Sequence, residues 1–98
     1  MKNCRLLVTY YAKDNMREKF IEELHQSGVV DTIRSEDGCI FYDYYLSLQD
    51  KNIVVLLENW ESQEKLDKHL AAEHMSIVRE IKAKYISNAT LEKFEVLC

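Results

Sequence analysis

The stretch Ile53–Trp60, IVVLLENW, is apolar at nearly every position. As a strand it sends Ile53, Val55 and Leu57 to one side of a sheet and Val54, Leu56, Glu58 and Trp60 to the other, because successive side chains alternate. Leu6–Ala12 repeats the pattern, with Leu7, Thr9 and Tyr11 set against Leu6, Val8 and Tyr10. A sheet built on these strands is apolar on both faces, and helices packed on one side cover only one of them. Roughly several hundred Å² of apolar surface left in water is unusual for a monomer. A second copy packed sheet to sheet would cover it and enclose an aromatic-lined cavity; the alternative is a greasy sheet with a frayed edge.

The remaining elements follow from local signals. Asn15 followed by Glu18 has the form of a capping box, opening a helix whose stripe is Met16, Phe20 and Leu24 with Ile21 beside them. Val29, Val30 and Ile33 extend it past a kink at Gly28, and residues 35–38 form a turn. Cys39–Leu48 and Ile53–Trp60 pair as a hairpin. Ser62 caps a helix that turns Leu66 and Leu70 inward, with His69 one position off that stripe. Met75, Val78, Ile81 and Tyr85 mark a further helix, and the Ala71-Ala72-Glu73 step either breaks or continues the two. Leu91–Leu97 is the last strand. The order β-α-β-β-α-β predicts an α+β, ferredoxin-like fold with a four-stranded antiparallel sheet, as one domain over 1–98.

Composition narrows the partners. Lys plus Arg number 13 against 17 Asp plus Glu, a net charge of −4, so neither nucleic acid nor a membrane surface is an expected partner. No apolar run approaches the roughly 20 residues of a membrane span. The N-terminus lacks the pattern of a signal peptide, so the expected compartment is the cytoplasm. Cys4, Cys39 and Cys98 show no CxxC spacing and read as reduced thiols. His69 and His74 do not share a face of a continuous helix and do not form HExxH, so no metal site is expected. Without a Gly-rich phosphate loop, no nucleotide cofactor is expected either.

Two stretches, SEDGCIFY (Ser35–Tyr42) and LENWESQEKLDKHLAAEHM (Leu57–Met75), resemble the antibiotic biosynthesis monooxygenase family, and within it the small quinol monooxygenases. The shared features are a Glu/Gly/Cys turn before the second strand, Glu-x-Trp-x-Ser ending the third, and His-Leu-x-x-x-His-Met in the helices. The resemblance implies a homodimeric α+β barrel. It also implies oxygenation of a quinol, or another electron-rich aromatic or polyketide-like small molecule, by dioxygen without metal or flavin. The family also contains haem-degrading enzymes. Where those carry Asn, Trp and His, this chain has Cys4, His69 and Arg79, so haem degradation is not implied.

Oxygenation without a cofactor requires a substrate anion able to reduce dioxygen, and hence a base, hydrogen-bond donors and a dry pocket. His69 is the candidate acid/base, with Trp60 as an aromatic wall and indole donor. Tyr10, Tyr42, Tyr44, Glu58 and His74 are the substrate-binding candidates. Each has a purely structural alternative: Trp60 and the tyrosines as filling, His69 as a helix cap or carboxylate partner, His74 as structural, Glu58 in a salt bridge. Two other activities stay open. One is an isomerase of small hydroxycarbonyl compounds using the same histidines; the other is a non-catalytic, small-ligand-binding or stress-responsive dimer.

Overall fold

The computed structural model describes residues 2–97, so the thiol expected at Cys98 lies outside the described residues. Strand β1 (Lys2–Ala12) leads into α1 (Arg17–Ser27) and a short α2 (Val29–Arg34). The hairpin β2 (Cys39–Leu46) and β3 (Ile53–Trp60) follows, then α3 (Gln63–Ala71), α4 (Met75–Tyr85) and β4 (Ile86–Leu97). The sheet order is β2-β3-β1-β4 with every pairing antiparallel. This is the ferredoxin-like α+β arrangement, with each helical crossover in two pieces.

Backbone chemistry sets the breaks. Gly28 takes φ +76°, closes α1 and lets α2 restart at a new angle. Ser62 Oγ accepts the Lys65 N–H at 3.2 Å and begins α3. The extended backbone of Ala72 separates α3 from α4. The capping box expected at Asn15 is absent: Asn15 has φ 61°, and Met16 is the N-cap without a side-chain bond. Asn tolerates the left-handed conformation, and here that tolerance serves the turn after β1.

Strands differ from expectation at their ends. β1 and β4 begin earlier, because backbone pairing from Lys2↔Leu97 to Ala12↔Ile86 carries the ladder through polar residues that show no alternation. β2 ends at Leu46, where Ser47 Oγ accepts the N–H groups of Gln49 and Asp50 and starts the turn. Arg17 Nη1 clamps that turn by donating to the carbonyls of Ser47, Asp50 and Ile53.

The apolar alternation resolves into two distinct faces. Cys4, Leu6, Val8 and Tyr10 of β1, with Val54, Leu56 and Trp60 of β3, are buried beneath the helices. Phe20 and Leu24 of α1, Ile33 of α2, Leu66 of α3 and Val78 and Ile81 of α4 complete that core. The opposite face carries Leu7, Ile53, Val55 and Leu57, only half-buried in the single chain, with Tyr45 and Phe94 exposed. Tyr10, Tyr42 and Tyr44 lie on the helix-covered face. This corrects the expected placement of these three tyrosines: they belong to the interior of one subunit rather than to a cavity between two sheets.

Gly38 closes the turn before β2 with φ +90°, and a Cβ there would fall 2.4 Å from Lys65 Cγ. The Lys65 stem lies over the turn and its ammonium pairs with Asp37. Gly38→Ala is therefore expected to cost roughly 1–3 kcal/mol. Gly28→Ala, at φ +76° with nothing within 4 Å of the added carbon, should cost less. Chemical denaturation of both variants checks the order, and equal losses would show that packing against Lys65 contributes nothing.

Candidate active site

Between the sheet and the α3–α4 pair lies a pocket of about 200 Å³. Its walls are mostly apolar: Leu6 and Val8 of β1, Leu56 of β3, Leu70 of α3, Met75 and Val78 of α4, and Ala89–Leu91 of β4. Six side chains able to donate, accept or carry charge line it: Tyr10, Tyr42, Glu58, His69, Lys82 and Thr90. Four of these are among the candidates read from the sequence. Tyr44, Trp60 and His74 stand one layer back.

The phase of α3 decides which side chain enters. Starting from the Ser62 cap, Leu66 and His69 lie one turn apart and face the sheet, so His69 is 1% exposed. Leu70, expected to turn inward, is 52% exposed and reaches only the pocket rim. The His69 ring stacks on Trp60 with centroids 4.4 Å apart and meets the Tyr42 ring edge-on at 5.8 Å. His69 Nδ1 lies 2.8 Å from Glu36 Oε2, and Nε2 lies 3.9 Å from Glu58 Oε1. A carboxylate only accepts, so Nδ1 carries the proton toward Glu36 and leaves the Nε2 lone pair on the Glu58 side.

Glu36 Oε2 is shared with a second histidine, His74 Nε2, at 3.1 Å. Side-chain exposure rises along this chain from 1% at His69 through 16% at Glu36 to 25% at His74. The three groups form a hydrogen-bonded path from pocket wall to surface. Glu36 was not among the sequence candidates, although it is the glutamate of the SEDGC turn that carried the family resemblance.

Burial controls the other titrations. The Glu58 carboxyl is pushed upward chiefly by burial, partly opposed by the Trp60 indole N–H donating to Oε1 at 2.8 Å and by His69. Burial raises the Tyr10 and Tyr42 hydroxyls far above the usual phenol range and pushes Tyr44 up to about 12. These phenols stay protonated at neutral pH, so they act as hydrogen-bond donors rather than bases; Tyr42 and Tyr44 hydroxyls are 3.3 Å apart. The Lys82 ammonium is shifted downward by burial and by Arg79. Sequence reading missed Lys82, whose signal is a charge one turn beyond Val78 on the apolar stripe of α4. No three His, Cys, Asp or Glu side chains converge as metal ligands among the described residues. No helix among them is long and apolar enough to cross a membrane.

The raised Glu58 carboxyl makes stability depend on pH. The folded form holds its proton above the ordinary value of 4.5, so folded protein binds more protons than unfolded protein in that window. Stability should therefore fall as pH rises from about 4.5 through the folded titration. Glu58→Gln keeps an oxygen for the Trp60 N–H and removes the titration. Thermal unfolding across pH is expected to show this variant gaining on the wild type as pH rises, and a pH-independent difference would contradict it.

The sequence matches the antibiotic biosynthesis monooxygenase family over residues 4–80. No curated protein matches. Among solved structures, protein PA3566 of Pseudomonas aeruginosa superposes with a TM-score of 0.86 at 22% identity, covering 100% of this chain and 97% of that one. A Bacteroides thetaiotaomicron protein described as a possible oxidoreductase gives 0.82 at 29% identity, covering 97% and 98%. A Nitrosomonas europaea protein proposed as an antibiotic biosynthesis monooxygenase gives 0.85 at 19% identity, covering 97% and 99%. These likenesses concern the fold, and the sequence match spans most of the 98 residues. The chain belongs to the antibiotic biosynthesis monooxygenase family.

Proposed function

We propose that this protein is a cofactor-independent monooxygenase acting on a quinol or another electron-rich aromatic small molecule, with dioxygen as co-substrate. The observation that carries the reading is His69, a pocket-wall imidazole whose Nδ1–H is held by Glu36 and whose Nε2 is left free to take a proton. Family membership supports the reaction class. A substrate hydroxyl gives its proton to His69 Nε2, and the resulting anion passes one electron to dioxygen. The ring radical and superoxide combine at a ring carbon, and the peroxide eliminates water to leave a carbonyl. For a quinol the sum is quinol plus O₂ giving hydroxyquinone plus water.

Other residues serve that step. Tyr10 and Tyr42, held protonated, donate to the oxyanion as it forms. Trp60 packs behind His69 and donates to Glu58, so it positions both. His74 leads the proton out through Glu36. The apolar walls exclude water from the peroxide.

The same reading makes the protein a cytoplasmic homodimer of one-domain subunits, with the uncovered sheet face as its interface. Leu7, Val55, Leu57 and Phe94 on that face supply apolar surface for it, and a stable contact needs about 1,000 Å² or more in total. Sedimentation at micromolar concentration should show twice the 11.6 kDa chain mass, and Leu7→Lys should shift it to monomer. A wild-type monomer would refute the barrel.

Oxygen consumption across a quinol panel tests the activity. His69→Gln, chosen because a buried His69→Ala would also lose packing, should lower turnover about 10²–10⁴-fold while the variant still folds. A wild-type enzyme that consumes no oxygen with any member overturns the reading in favour of proton-transfer isomerisation or simple binding. Full activity in His69→Gln removes this histidine from the reaction.

A further inference from the structure

Lys82 lines the pocket from α4, and it also lines an adjoining open groove with Arg79, Ala83 and Ile86. It therefore stands where the groove meets the interior. Its Nζ lies 5.4 Å from the Tyr10 ring centroid and makes no hydrogen bond or ion pair with any described residue. A half-buried ammonium without a direct ion-pair partner is costly to keep. The pocket carboxyl, Glu58, attracts this ammonium through space but makes no ion pair with it, and burial favours its neutral form. A pocket of about 200 Å³ is below the roughly 300–1,000 Å³ of sites for drug-sized ligands. It accommodates one aromatic ring better than several fused ones.

We propose that Lys82 is an anion-recognition residue, and that the pocket selects a single-ring aromatic bearing a carboxylate, with the carboxylate on Lys82 and the ring between Tyr10, Tyr42 and His69. The apolar walls of Leu6, Val8 and Val78 flank the ring, and Arg79 adds positive potential along the approach. This rests on the reading of the pocket as the substrate site, and it narrows the substrate class to aromatic acids.

Binding and turnover separate the two ideas. Titration calorimetry on the full chain would compare 1,4-dihydroxybenzene with 2,5-dihydroxybenzoate, which differ by the carboxylate. The wild type is expected to bind the acid about tenfold or more tightly than the neutral quinol, the gain of a charge-assisted hydrogen bond. Lys82→Met, which keeps the stem, should erase that preference; Lys82→Arg should retain it. Equal affinities in the wild type, binding of neither compound, or a preference that survives Lys82→Met would overturn the proposal. Oxygen uptake is followed on the same samples. A Lys82-dependent preference without oxygen uptake sinks the monooxygenase reading and leaves anion recognition standing, whereas uptake without the preference sinks anion recognition alone.

Discussion

An imidazole 1% exposed must have its polar atoms answered from within the protein, and answering them ties this subunit together. His69 reaches Glu36 in the turn before β2, stacks on Trp60 at the end of β3, and meets the edge of Tyr42 in β2. The turn before β2, strand β2 and the end of β3 are thereby fixed to α3. The turn that presents Glu36 depends on Gly38, over which the Lys65 stem of the same helix lies. The helix supplying the ring thus also braces the loop supplying its acceptor.

Unlike the rest of the covered face, the pocket is only partly filled. Tyrosines, Glu58 and His69 are interleaved with Leu6, Val8, Leu56 and Val78, so every polar group sits among apolar neighbours. That setting raises the phenols and the Glu58 carboxyl toward their protonated forms, while His69 keeps Nε2 on the Glu58 side. Lys82 is the fixed positive group in the same walls. Although the whole chain carries a net charge of −4, the charges facing the pocket are this lysine and Glu58, whose carboxyl burial shifts upward.

The division of labour between the faces also explains why so short a chain spends apolar residues on both. The helix-covered face builds the core and the pocket. The opposite face, with Leu7, Val55 and Leu57 half-buried in the single chain, meets no helix among the described residues and is the face that the proposed homodimer would use.

Much of this was legible in the residues. Period-two alternation announced β1 and β3, the Ser62 cap announced α3, and the run SEDGC with His-Leu-x-x-x-His-Met carried the family. Alternation shows that both faces of a strand are apolar, but not which one the helices cover, because that depends on how the crossovers pack. The tyrosines were therefore expected between two sheets and are found within one subunit. Spacing placed His69 beside an inward stripe of Leu66 and Leu70, whereas docking rotates α3 so that His69 enters and Leu70 leaves. Glu36 and Lys82 were missed for a related reason: one lies in a turn and the other on a helix, and charge in either place is ordinary in sequence. Local propensity determined the elements and their order; the rotation and docking of α3 and α4, set by long-range packing, decided which polar groups share a dry pocket.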